Sequence, residues 1–251
     1  YSWERKLTRG MNTNMAVSGN LVMGNFLTNS YFEGFDDVDK TESYLGRIRY
    51  NYDEKYFADF SYRRDGSSRF AKDARWGDFY SFGLNWNAKK ENFLKDVEWL
   101  NDLRVRASYG EVGNNAGVDL YAYQALYEID KNGGNTALIK QTLAASNIKW
   151  ETTQTVDFGV EGKLFDRLNF SIGYFDKRSK DLLFEVRLPY SAGSYPHNEN
   201  MSNMSQYQNI GTISNRGFEI ALSGEIIKNK DWNWTVSADA TTLKNKVIKL
   251  P

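Results

Sequence analysis

Apolar and polar residues alternate with a period of two along most of the chain, the spacing that sends successive side chains of an extended strand to opposite faces. Tyr44, Gly46, Ile48, Tyr50 and Tyr52 alternate with Ser43, Leu45, Arg47, Arg49 and Asn51. Tyr56, Ala58, Phe60 and Tyr62 repeat the pattern against Lys55, Phe57, Asp59, Ser61 and Arg63, and Asp53-Glu54 between the two runs has hairpin length. Further strands are predicted through Tyr80, Phe82, Leu84 and Trp86, and through Leu103, Val105, Ala107 and Tyr109. A hairpin joins Val156, Phe158 and Val160 to Leu168, Phe170, Ile172 and Tyr174, turning through 163–166. Another joins Phe218, Ile220 and Leu222 to Trp232, Trp234, Val236 and Ala238, turning through 228–231. Weaker strands are predicted at 15–23, 121–129 and 182–188, and short helical turns only within 88–100 and 135–145. The fold class is all-β, an antiparallel meander.

The connections alternate in length. Short turns at 53–54, 163–166 and 228–231 contrast with long polar loops predicted at 24–42, 64–77, 110–120 and 189–211. Outer-membrane barrels show this asymmetry, with short periplasmic turns and long external loops. The two strand faces also differ in kind. Bulky rings sit at the strand ends of the apolar face, Tyr44 and Tyr52 around Gly46 and Ile48, Tyr80 and Trp86 around Phe82 and Leu84. Such amphipathic rings gain most at a lipid–water boundary. The other face carries Arg47, Arg49, Asp59, Arg104, Arg106, Asp157, Glu161 and Asp239, as a water-filled lumen would. A membrane barrel and a soluble β-sandwich both obey the alternation, and periodicity alone leaves the two open.

Composition narrows the chemistry. Of 251 residues, 32 are basic and 32 acidic, so there is no cationic field for non-specific nucleic-acid binding. There is no cysteine, which excludes disulfide scaffolds and thiolate metal sites. The one histidine, His197, follows Pro196 in a long loop and has no companion ligands. No cofactor is expected and, with carboxylates scattered across a wet face rather than paired at a defined site, neither is enzymatic activity. Aromatic residues make up 15% of the chain, and no apolar run approaches the ~18 residues of a membrane helix. The N-terminus lacks the apolar core of a signal peptide, and the stretch 247–251 reads as a cut end. Asp36, Asp37, Asp39 and Glu42 are the densest acidic cluster; a solvated loop is the plainer reading and a calcium loop the alternative, without the glycine an EF-hand needs. Gly110, Gly113 and Gly117 lack the Gly-Lys-Ser/Thr ending of a phosphate loop. Tyr190, Tyr195 and Tyr207 lie among Ser, Asn and Gly, a mixture that binds sugars or simply packs a loop. Tyr190 and Tyr195, with Asn114 and Asn115, are the candidate substrate-binding residues.

Several longer segments carry a resemblance. Arg63-Arg-Asp-Gly-Ser-Ser-Arg-Phe70 followed by Arg75-Trp-Gly77 resembles a strand–loop signature of the SusC/RagA family of TonB-dependent outer-membrane transporters. In the same order come Trp99 to Asn115, Ile148 to Glu161, Tyr174 to Leu183 and Asn209 to Glu219, all similar to barrel segments of that family. The resemblance runs from about residue 43 to the C-terminus. It implies a barrel of about 22 strands around a plug domain, of which residues 1–251 would be an internal part of the wall, with 1–42 as a strand plus a long loop. It also implies import of a large nutrient, a glycan oligosaccharide or a peptide, across a bacterial outer membrane. The implied partners are a SusD-like surface lipoprotein, TonB acting through a plug not found in this chain, and outer-membrane lipid. A smaller passive pore and a soluble carbohydrate-binding or adhesion sandwich are the alternatives.

Overall fold

The computed structural model describes residues 2–12, 31–132, 135–189, 191 and 205–250. Strands make up most of it: β1 (Ser2–Asn12), β2 (Tyr31–Tyr52), β3 (Tyr56–Ser67), β4 (Trp76–Asn87), β5 (Leu100–Asn114), β6 (Leu126–Asn132), β7 (Asn135–Thr142), β8 (Glu151–Leu164), β9 (Leu168–Arg187), β10 (Ser205–Lys228), β11 (Asn233–Thr241) and β12 (Lys244–Lys249). A 3-10 turn at Ala88–Lys90 and one helical turn, α1 (Asn92–Lys95), link β4 to β5. The main sheet runs β1-β2-β3-β4-β5-β8-β9-β10-β11, with β12 also on β10, while β6 and β7 form a separate hairpin inserted between β5 and β8. Every pairing is antiparallel. Within the described residues β1 and β11 do not pair with each other, so the sheet is an arc and not a small closed pore.

The short turns close in left-handed geometry. Lys55 N–H donates to Tyr52 O at 3.0 Å across Asp53 (φ 53°) and Glu54 (φ 50°), and Arg167 N–H donates to Leu164 O at 3.0 Å across Phe165 (φ 53°) and Asp166 (φ 56°). Positive φ at both central positions gives the primed turn whose twist matches that of the flanking strands.

The sheet is a single layer. Tyr50, Ala58, Leu84, Ala107, Phe158, Tyr174 and Phe218 are successive register partners from β2 to β10, and the adjacent row is Tyr52, Tyr56, Trp86, Val105, Val160, Ile172 and Ile220. These rows, with the one through Ile48 and Phe60, form one apolar face, and none of the described residues covers it: Ile48 is 69% exposed, Leu84 47%, Phe158 51% and Phe218 52%. A sandwich would bury these side chains in a dry interior. Rings border the band on both sides, Tyr44–Trp76 (6.0 Å between centroids), Tyr62–Tyr80 (5.7 Å) and Tyr174–Phe218 (5.1 Å) toward the long loops, Tyr52–Tyr56 (6.4 Å) and Trp99–Phe165 (6.2 Å) toward the short turns. Tyr44, Tyr62 and Tyr109 donate their hydroxyls to Glu42, Asp78 and Glu111, beyond the band. An apolar belt between aromatic girdles is the outer surface of a membrane barrel.

Several expectations are corrected. Residues 135–145 do not form helical turns: Asn135–Thr142 is β7, and the pairing of Asn132 with Asn135 leaves the two-residue spacing of a tight hairpin. Residues 31–42, expected in a loop, belong to β2, which is 22 residues long. Likewise β3 continues to Ser67, β5 to Asn114, and β10 starts at Ser205, so the loops are shorter than predicted. Gly66 stands in β3 opposite Trp76, and a Cβ there would lie 2.8 Å from the Trp76 ring. The strand predicted at 15–23 lies outside the described residues. The extra strand length has no lipid-facing side, so the regular apolar–polar alternation that prediction relies on does not extend into it.

β11 and β12 form one line of pairing against β10, interrupted at Thr242-Leu243 opposite Gly217. A Cβ on Gly217 would stand 1.8 Å from the Thr242 carbonyl oxygen and 3.1 Å from the Phe175 ring. Gly217→Val is therefore expected to detach β12 at a cost of at least ~1–3 kcal/mol, read as lost hydrogen-exchange protection over Lys244–Lys249. Protection equal to that of the parent would contradict this packing.

Candidate functional site

Two features combine a defined geometry with chemistry: the charged face of the wall and the cluster of loops at its outer end. On the charged face, Arg47 Nη2 donates to Asp59 Oδ2 at 3.0 Å. Glycines make room for long side chains to lie flat there: a Cβ on Gly83 would meet Asp59 Oδ1 at 2.3 Å, and one on Gly159 would meet Arg106 Nε at 2.6 Å. The result is a recess of about 480 Å³ that includes Arg47, Arg49, Phe57, Asp59, Asn85 and Arg106 in its lining. Among the described residues Asp59 is the only carboxylate lining this recess, against three guanidinium groups. Among the described residues Arg49 and Arg106 make no ion pair. This arrangement presents forked donors, amides and one ring to an aqueous lumen, which suits a ligand bearing carboxylates or hydroxyls.

At the short-turn end, Glu91 ties the β4–β5 link to the wall. It accepts hydrogen bonds from the Tyr56 hydroxyl and from Trp86 Nε1 (3.2 Å), with Lys55 Nζ at 3.8 Å. These hydrogen bonds first, and then the Lys55 charge, hold its carboxyl below the usual range.

At the outer end, the Arg63–Phe70 motif closes the loops. Arg63 Nε donates to Asp65 Oδ1 at 2.7 Å, and Ser68 continues the strand pairing, its N–H on Lys40 O at 2.9 Å. Arg69 bridges three elements: its Nε and Nη2 donate to Asp39 Oδ2 at 3.0 and 2.8 Å, and its Nη1 to Val118 O at 2.8 Å. Phe70, fully buried, packs with Val118, Ala122, Ala145 and Ile148, and Trp150, Leu183 and Tyr207 lean on this cluster. Its ring stands 5.3 Å from that of Trp150, which contacts Phe79 edge-on at 5.8 Å and donates from Nε1 to Arg75 O at 2.9 Å. Tyr207 donates to Asp119 Oδ2 at 2.7 Å; burial, then this bond, pushes its hydroxyl above the usual tyrosine range. A small core thus fastens the β3–β4 and β5–β8 connections to the outer extensions of β2, β9 and β10.

The predicted site residues fall differently. Asn115 donates from Nδ2 to the buried Ser67 Oγ at 2.9 Å, and Asn114 donates to Glu151 Oε2 at 2.6 Å while its Oδ1 accepts the Ala116 N–H at 3.0 Å. The two amides therefore shape the β5 exit. Tyr190, Tyr195 and His197 lie outside the described residues. The acidic segment containing Asp37, Asp39 and Glu42 is strand and not loop, and Asp39 is engaged by Arg69. Among the described residues no group of three or more His, Cys, Asp or Glu side chains is placed to hold a metal ion. Sequence reasoning named the Arg63–Phe70 run only as a family motif and did not foresee that Ser67, Arg69, Phe70 and Trp150 close the loops. The signal for the first three was the Ser-Ser-Arg-Phe run ending a strand, and for Trp150 its place in the Ile148–Glu161 segment.

A one-layer antiparallel wall with a ring-bordered apolar exterior, a guanidinium-lined interior and loops gathered on a small outer core is part of an outer-membrane transport barrel. The chain belongs to the TonB-dependent receptor-like β-barrel family, whose model matches residues 3–248. It is similar to the TonB-dependent receptor SusC of Bacteroides thetaiotaomicron, 36% identical over 216 residues that cover 83% of this chain and 21% of SusC. A TonB-dependent receptor of Formosa agariphila is 36% identical over 213 residues, covering 83% of this chain and 20% of that receptor. Among solved structures, the RagAB peptide transporter matches with a TM-score of 0.76 and 30% identity, over 92% of this chain and 25% of that one. The chain thus spans about a fifth of the length of the curated relatives it matches. The family consists of outer-membrane transport receptors rather than enzymes.

Proposed function

We propose that this chain is a wall segment of an importer that carries an oligosaccharide or peptide bearing carboxylate groups across the outer membrane, energised by TonB through a plug and capped by a SusD-type lipoprotein. The observation that carries the proposal is the interior recess, where Arg49 and Arg106 face water without a carboxylate partner among the described residues beyond the Arg47–Asp59 pair. Similarity to SusC and to the RagAB peptide transporter supports the class of cargo and the two-component assembly. The fastened outer loops supply a firm rim for a lid, and Tyr190, Tyr195, Asn114 and Asn115 are proposed to contribute ligand contacts. The test is uptake by cells carrying the full-length receptor, with fluorescent peptides and oligosaccharides of matched size, with and without carboxylates. Import is expected to require TonB and the lipoprotein. Arg49→Gln with Arg106→Gln is expected to raise the half-saturating concentration of the acidic cargo about tenfold, the equivalent of ~1.4 kcal/mol. Uptake indifferent to TonB, or to both arginines, would overturn the proposal.

A further inference from the structure

Beyond the aromatic edge near the long loops, the exterior changes character around the sheet. On β2 to β5 it is acidic or neutralised: Glu42, Asp78 and Glu111 accept tyrosine hydroxyls, and Arg64 lies 3.8 Å from Asp78 and over the Trp76 ring. On β9 to β12 it is cationic. One step outward from the row Phe158, Tyr174 and Phe218 stand Val156, Asp176, Arg216 and Lys244 as register partners. The row after that holds Gln154, Arg178, Ser214 and Lys246. Register partners share a face, so Arg178, Arg216, Lys244 and Lys246 stand on the side of the sheet that carries Tyr174 and Phe218.

The one carboxylate in these two rows is already engaged. Asp176 accepts Arg178 Nε at 3.2 Å and Nη2 at 2.7 Å, and Ser214 Oγ at 3.4 Å, and its side chain is only 13% exposed. Arg216, Lys244 and Lys246 make no ion pair among the described residues. Where β11 gives way to β12, a recess of about 380 Å³ opens, lined by Tyr174, Arg216, Phe218, Leu243 and Lys244. It is apolar on the band side and cationic on the outer side.

The girdle rings mark the boundary between hydrocarbon and headgroups, and residues two and four positions beyond them stand ~7–13 Å further out, at headgroup depth. A guanidinium there meets headgroup oxygens, and its fork matches phosphate. The chain as a whole carries equal numbers of acidic and basic residues, so this surplus is local. We propose that the β9–β12 exterior is a binding site for an anionic, phosphate-bearing membrane lipid, with the phosphate held by Arg216 and Lys244, flanked by Arg178 and Lys246, and the acyl chains lying along Tyr174, Phe218 and Ile220. The site rests on the membrane orientation of the apolar face and not on the identity of the cargo.

The experiment is native mass spectrometry of the full-length receptor released from nanodiscs of equal parts phosphatidylcholine and phosphatidylglycerol. The parent is expected to retain phosphatidylglycerol preferentially. The triple variant Arg216→Gln, Lys244→Gln, Lys246→Gln is expected to lose about tenfold of that retention, as the removal of several juxtamembrane cations predicts. The double variant Lys90→Gln, Lys95→Gln at the short-turn end keeps it. Arg216→Lys with Lys244→Arg, which preserves charge and assembly, should retain binding even if the triple variant assembles poorly. Equal retention of the two lipids, loss of binding in the charge-preserving variant, or full displacement of the lipid by millimolar inorganic phosphate would overturn the site.

Discussion

Phe70→Ala is expected to loosen the whole outer loop cluster while leaving the membrane span intact. The side chain is completely buried among Val118, Ala122, Ala145 and Ile148 and against the Trp150 ring. Truncating a buried phenylalanine costs about 3–5 kcal/mol. That cost falls on local opening because Phe70 lies in a loop outside the continuous ladder from β2 to β10. Hydrogen exchange on the full-length receptor should show lost protection near Val118, Ala122 and Ile148, and limited proteolysis should cut between β5 and β8, with the span unchanged. Arg69 would then hold Asp39 and the Val118 carbonyl without a packed floor beneath it. If the loops stay protected, the cluster is not what fastens them.

Leu84→Arg is expected to be the most damaging single change on the exterior. Leu84 stands mid-band on β4, between Ala58 of β3 and Ala107 of β5, and is 47% exposed on the face that meets lipid. A charge near the bilayer midplane of a barrel costs about 2–4 kcal/mol. Asn85→Arg, one residue along the same strand, points into the lumen beside Arg106 and is expected to change stability by no more than ~0.5 kcal/mol. The comparison holds local propensity and strand position nearly constant while switching the solvent. Reversible unfolding of the full-length receptor in lipid vesicles measures both, and equal costs would mean that the two faces do not see different media.

The membrane span was legible in the sequence because only one side of it is wet. Tyr44 to Tyr52 or Tyr80 to Trp86 must alternate when lipid lies on one face and water on the other, and short turns such as Asp53-Glu54 announce themselves between such runs. The outer halves of β2 and β10 were not legible for the complementary reason, whereas the outer part of β9 was foreseen as a strand at 182–188. Segments such as Glu33–Lys40 and Gln206–Asn209 carry few apolar residues, so no period survives, and pairing partners such as Arg5 with Val38 are far apart in sequence. β7 was misread as helical because Ala137, Leu138, Lys140 and Gln141 favour helix, whereas its hairpin with β6 decides the outcome. The loop core was visible only as a motif. Arg69 and Phe70 could be named, but Asp39, Val118, Ile148 and Trp150 reach them only through the folded sheet, and nothing local in the chain announces that meeting. Asn114 and Asn115, nominated as ligand contacts, stand at the end of β5, where their amides also serve the loop's own geometry.

Because the chain contains no cysteine, single-cysteine spin labels report its two faces cleanly in a full-length receptor freed of any other cysteine. With labels placed in turn from residue 80 to 86 in a reconstituted bilayer, collisions with oxygen should peak at even positions, and those with a water-soluble nickel chelate at odd ones. A profile without that alternation, or with its phase reversed, would contradict the assignment of the ringed side to lipid and the arginine-bearing side to water.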